Sequence, residues 1–152
     1  MRIDGQVREL IAGGVATIVA TRDEQLRPSI GRGWGISVAA DGDEVTLCVE
    51  APAGSRMRAN LDAGGVIAVT CSLPTTYRTV QLKGRVLALV DPDAKQLKHV
   101  HDHAEAFSAE AEQVGLPPRC GFRFLDDGLV SVSFAVAEVY DQTPGPNAGA
   151  RM

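Results

Sequence analysis

The strongest constraint on this chain is how little lies between its first strands. Three strand-like stretches, VATIVATR (Val15 to Arg22), PSIGRGWGISV (Pro28 to Val38) and EVTLCVE (Glu44 to Glu50), follow one another closely. Only the polar stretch DEQLR and a turn built on Asp41-Gly42-Asp43 separate them. A parallel crossover needs about a dozen residues, usually a helix. These connections are of hairpin length, and Asp-Gly is a hairpin signal. Val45, Leu47 and Val49 alternate with Thr46, Cys48 and Glu50, the period of a half-buried strand. The chain thus starts as an antiparallel meander, and a parallel βαβ sheet is disfavoured.

VIAVTCS (Val66 to Ser72), TVQLKGRVLALV (Thr79 to Val90) and LVSVSFAVAEVY (Leu129 to Tyr140) supply three further strands. Asp4 can cap a first helix with Val7, Leu10 and Ile11 on one face, so residues 1–14 read as an N-terminal helix closed by Gly13-Gly14. A short helix starts in GSRMRANL and stops at Gly64-Gly65. Asp91-Pro92 reads as cap and first residue of a longer helix. Its apolar stripe is Ala94, Leu97, Val100, Ala104, Phe107, Ala111 and Val114, and Gly115 with Pro117-Pro118 ends it. Residues 141–152 read as an irregular tail. Six strands and few helices predict one mainly β (α+β) domain over 1–152, an antiparallel barrel with helices outside it.

A net charge of −4 with acids and bases interspersed leaves no basic stripe, which argues against nucleic-acid binding. No apolar run reaches the roughly 18–20 residues that span a bilayer, and MRIDGQVREL lacks the apolar core of a secretory signal. Cys48, Cys71 and Cys120 are odd in number, without a CxxC, and fit buried thiols in a reducing cytoplasm.

Candidate chemistry begins at GSRMRANL. Ser55 suits the N-cap, and Arg56 and Arg58 add positive charge where acidic side chains are usual. An anion such as phosphate would relieve that charge, and arginine offers it a planar fork. The alternative is a surface pair between Arg58 and Asp62, worth about 0.3–0.5 kcal/mol. In SIGRGWGIS, alternation sets Ser29, Gly31, Gly33, Gly35 and Ser37 on one face and Ile30, Arg32, Trp34 and Ile36 on the other. Glycine at period two serves either a close approach by a flat ligand or backbone, or sharp barrel curvature. Arg32 and Trp34 share a face that can grip an anionic or aromatic ligand; Trp34 equally suits a core anchor. Gln81, Lys83 and Arg85 project from one face of the fifth strand, either solvated or lining a groove. His99 and His103 have a helical two-ligand spacing, but HExxH and a third ligand are missing, so no metal is expected. The stripe places His99 and His103 on its wet flank and His101 nearer the core. No nucleophile–histidine motif, GxGxxG or P-loop is present.

Taken in order, VATRDEQLRPSI, GSRMRANLDAGGVIAVT, TTYRTVQLKGRV, DPDAKQLKHVHDHAEAF and YDQTPGPNAG resemble the pyridoxamine 5′-phosphate oxidase-like family of FMN-binding split β-barrels. The resemblance implies a six-stranded split barrel and a homodimer with FMN in clefts at the subunit interface. It implies a phosphate role for Ser55 and Arg56. Where the family often has a phosphate-binding lysine this chain has Met57, and Arg58 or Lys83 can replace that charge. Where it commonly has a flavin-contacting glutamine this chain has Thr79, and Gln81 can substitute. The cofactor-binding candidates are therefore Arg32, Trp34, Ser55, Arg56, Arg58, Gln81 and Lys83, with no catalytic residue named. The vitamin B6 oxidase's terminal tryptophan and arginine segment is missing here. The expectation is a cytoplasmic FMN-dependent oxidoreductase acting on a small molecule. The alternatives are a non-catalytic module for flavin, haem or a deazaflavin, and a structural dimer with a vestigial cleft.

Overall fold

A computed structural model describes residues 2–152. The elements run α1 (Gly5–Ala12), β1 (Ala16–Arg22), β2 (Pro28–Val38), β3 (Glu44–Glu50), α2 (Arg56–Asp62), β4 (Val66–Ser72), β5 (Thr79–Val90), α3 (Ala94–Gln113), α4 (Cys120–Phe124), β6 (Leu129–Asp141) and β7 (Ala150–Arg151). Every strand pairing is antiparallel, in the order β3-β2-β1-β4-β5-β6, and β3 pairs with β6 to close a six-stranded barrel. Closure removes the free edges that would otherwise recruit other chains.

Inward positions fill the barrel. Val19, Leu47, Val69, Leu82, Val132 and Phe134 are at most 1% exposed. Gly31 and Gly33 face this interior. A Cβ on Gly33 would lie 2.7 Å from Leu47 and 2.9 Å from Thr17, so packing inside a tight barrel accounts for the bare face. Gly35 differs. It has φ +60°, and a Cβ there would meet the backbone of α3 at Val100, 3.1 Å away. The register between β2 and β3 shifts between Trp34 and Ser37.

That shift corrects one expectation. Strict alternation placed Trp34 and Ile36 on one face, but Trp34 packs outside the barrel with Val100, Ala104 and Phe107, while Ile36 joins the interior. A bulge adds a residue and reverses which face follows.

Of the histidines, His99 is exposed as expected, but His103 and His101 are reversed. His103 is only 6% exposed, whereas His101 is exposed. The helix starts later than Asp91-Pro92 suggested, because Asp93 and Gln96 form a reciprocal capping box. β5 ends at Val90, as expected. Leu97 and Val114, read as part of the stripe, are 40% and 50% exposed. The short α4 was not foreseen, and residues 150–151, read as irregular, add a two-residue strand to β6. Cys48, Cys71 and Cys120 are free, buried thiols. Burial pushes Cys48 up to about 11 and Cys71 up to about 12. Among the described residues no helix is long and apolar enough to cross a membrane.

Candidate functional site

The short helix α2 is fixed from its inner side. Met57, Asn60 and Leu61 are buried. The Asn60 amide donates to the Thr21 hydroxyl at 3.0 Å, and that hydroxyl donates to the Met57 sulfur at 3.4 Å. Ser55 caps the helix, its hydroxyl accepting the Arg58 N–H at 3.1 Å. Two turns of helix carry only a weak dipole, so any attraction for anions here comes from side-chain charge.

That charge gathers in a cleft of about 780 Å³ between the β1–β2 turn, α2 and β5, where Arg22, Arg27, Ser55, Arg56 and Arg85 contribute to the walls. Arg27 is neutralised: its Nε donates to Asp23 at 2.7 Å. The Arg27 backbone N–H and guanidinium together hold the Asp23 carboxyl below its usual range. Among the described residues, Arg22, Arg56 and Arg85 have no carboxylate partner. Arg22 donates to the Asp23 carbonyl at 3.4 Å and Arg85 to the Gly64 carbonyl at 3.3 Å. Among the described residues, the Arg56 side chain has no hydrogen-bond or ion-pair partner.

A second concavity of about 560 Å³ shares Arg22, Val66 and Arg85 with the first and continues across the outside of the barrel. Strand register builds it. Ile30 opposes Ala20, Ala20 opposes Ala68, Ala68 opposes Lys83, and Lys83 opposes Glu138. Alanines keep the floor shallow, and Lys83 and Glu138 form the far wall. Gly84 lets β5 run close to β6, since a Cβ would fall 1.9 Å from the Ala135 carbonyl oxygen. An arginine-rich cleft thus opens onto an apolar strip.

The sequence candidates separate into groups. Ser55 and Arg56 line the cleft, and Lys83 lines the adjoining groove. Gln81 lies two residues further along β5, its amide donating to Thr70 at 3.0 Å. Arg58 sits 3.5 Å from Asp62 in the surface pair and lines neither hollow. Arg32 stacks on Phe124 at 4.5 Å, and Trp34 is buried with its Nε1 donating to Glu50 at 2.9 Å. Met57 faces the core, and the Thr79 hydroxyl is engaged with Ser72 at 2.8 Å. Arg22, Arg27 and Arg85 bring charge that the candidate set did not include. Arg85 shares the Gln81–Lys83 face, but nothing local in the sequence places Arg22 or Arg27 beside α2.

Solved structures share this architecture. An F420 reductase superposes with a TM-score of 0.61 at 16% identity, covering 90% of this chain and 98% of its own. A Clostridium acetobutylicum protein related to general stress protein 26 of B. subtilis, of the pyridoxinephosphate oxidase family, gives 0.53 at 16%, covering 91% and 87%. An FMN-binding protein from Syntrophomonas wolfei gives 0.50 at 14%, covering 87% and 80%. The fold is the pyridoxamine 5′-phosphate oxidase-like barrel. Neither family sequence models nor curated protein sequences match the chain. At such identities the split barrel is common ground, and the site must be argued from the residues present.

Proposed function

We propose that this split barrel binds FMN and serves as a flavin-dependent oxidoreductase for a small molecule, working as a homodimer. The observation that carries the reading is the junction of the two hollows. Three arginines without carboxylate partners among the described residues, Arg22, Arg56 and Arg85, meet a shallow apolar strip. A phosphate end and a flat ring system need those two surfaces side by side. Ser55, Arg56, Arg22 and Arg85 would hold the phosphate, and Val66, Ala68 and Ala20 would lie against the ring. Flavin, when bound, supplies hydride or electron transfer. The chain's own part is to bind, orient and keep water from one ring face. The strip is open on its outer side and continues to Ile30, 72% exposed, which suits cover by a second copy.

The second reading is a flavin, haem or deazaflavin binding module without turnover. Met57 favours it: the residue is 4% exposed among core side chains, so the cleft lacks the lysine that strengthens phosphate retention. An absorption spectrum of protein purified without added cofactor is the direct test. A flavin spectrum with FMN identified by mass, bleached by NADH or NADPH and restored by a substrate, is the expected result. A flavin that is never reduced supports the binding module, and a Soret band supports haem. Failure of the folded protein to take up added FMN would sink the flavin proposal.

A further inference from the structure

Among the described residues lining the apolar groove, Glu138 carries the only carboxylate, and it stands opposite Lys83 in the β5–β6 register. Opposite charges so placed normally neutralise each other. Here they do not: no ion pair joins Lys83 to Glu138. Tyr140 holds both instead. Its ring lies beneath the Lys83 ammonium, 4.7 Å from nitrogen to ring centre, and its hydroxyl donates to Glu138 Oε2. That hydrogen bond also raises the Tyr140 phenol above its ordinary range, keeping the hydroxyl a donor. The arrangement leaves ammonium protons and Glu138 Oε1 uncommitted on neighbouring strands, one on each side of the Tyr140 contact, at the end of the groove away from the residues it shares with the arginine cleft.

A donor beside an acceptor is the complement of a carbonyl beside an N–H, which is the edge of a cyclic imide. We infer that Lys83 and Glu138, positioned by Tyr140, read the imide edge of a flavin-type ring lying in this groove. The inference rests on the flavin reading above and extends it to the choice of ligand. The carboxylate accepts from the ring N–H, and the ammonium donates to a neighbouring ring carbonyl. A site built on hydrogen bonds rejects an analogue lacking the matching group far better than an apolar pocket can.

The test compares FMN with 3-methyl-FMN, which keeps the phosphate and both carbonyls but lacks the N–H. Affinities are read from quenching of flavin fluorescence. The protein is expected to prefer FMN by at least about tenfold. Glu138→Ala should abolish that preference. Glu138→Gln, equal in size but a weaker acceptor, should reduce it, whereas a steric effect of the methyl group would survive that change. Lys83→Met should weaken both ligands equally. Tyr140→Phe, which keeps the ring and loses the hydroxyl, should leave a preference intermediate between the native protein and Glu138→Ala. Equal affinities in the unaltered protein, or a full preference in both Glu138 variants, would overturn the inference. Arg56→Ala separates the two levels of the proposal. If it weakens both ligands while the native protein shows no preference, flavin binding stands and the edge reading falls. If the native protein binds neither ligand, both fall.

Discussion

Along the outside of β2, Ile30 is 72% exposed and Trp34 only 3%. Around Trp34, α3 and α4 cover the barrel, and the Glu50, His103 and Ser108 side chains there each have fixed partners. Glu50 accepts both the Trp34 indole N–H and the Asp126 N–H. His103 accepts the Gly35 N–H at Nδ1 and is therefore the Nε2–H tautomer, donating to the Val15 carbonyl, both at 2.8 Å. The Ser108 hydroxyl donates to Ala104 and accepts from Gly121. Around the arginine cleft the opposite holds, because Arg22, Arg56 and Arg85 have no carboxylate partners among the described residues. Burial away from water leaves no tolerance for an unpaired polar group. An open cleft can keep cations solvated until an anion displaces the water. One face is built for stability and the other is left for binding.

The comparison breaks most readily at Trp34. Trp34→Ala should cost about 3–5 kcal/mol of stability in urea denaturation, while the folded fraction binds FMN as before. A loss of affinity beyond the loss of folded protein would show that the covered side belongs to the site. Arg56→Ala should do the reverse, leaving the denaturation midpoint nearly unchanged and weakening FMN by about 1.5–3 kcal/mol. Unaltered affinity in that variant would remove Arg56 from the cleft's function.

The covered side should also carry a pH signature. Burial holds His103 below the usual histidine range. Only the unfolded chain gains this proton as the pH falls past about 6.5. Stability should therefore be complete above that value and decline below it, by at most about 1.4 kcal/mol per pH unit. Denaturation at successive pH values should show the slope, and His103→Gln should flatten it. The smallest effect concerns the turn beside the cleft, where Leu26 has φ +63° and is 67% exposed. Leu26→Gly should relieve left-handed strain and stabilise by up to about 1 kcal/mol, with a raised melting temperature and unchanged FMN affinity.

Much of the barrel was readable from alternation. The three opening strands and their short turns left antiparallel pairing as the economical solution, and the Ser55 cap and the Arg58–Asp62 pair were legible from local spacing. Trp34 and Ile36 were misassigned because a bulge is invisible to a rule of strict alternation. His101 and His103 were misassigned for a related reason, while His99 was placed correctly. The wet side of α3 depends on where β2 bends toward it, which the helix's own sequence does not encode. Within the candidate site, Ser55, Arg56 and Lys83 could be named in advance. Arg22 and Arg27 could not, since their nearness to α2 comes from the way β1 leaves the barrel.

What the sequence determined by itself is everything that depends on near neighbours: strand period, hairpin connections, helix caps and a local excess of positive charge at α2. Only the tertiary structure decided which of those charges meet, which tryptophan face is covered, and that Lys83 and Glu138 stand opposite each other. The reason is physical. Hydrogen-bonding period and capping act over a few residues, whereas register and barrel closure bring together groups whose separation along the chain carries no information about their distance in space.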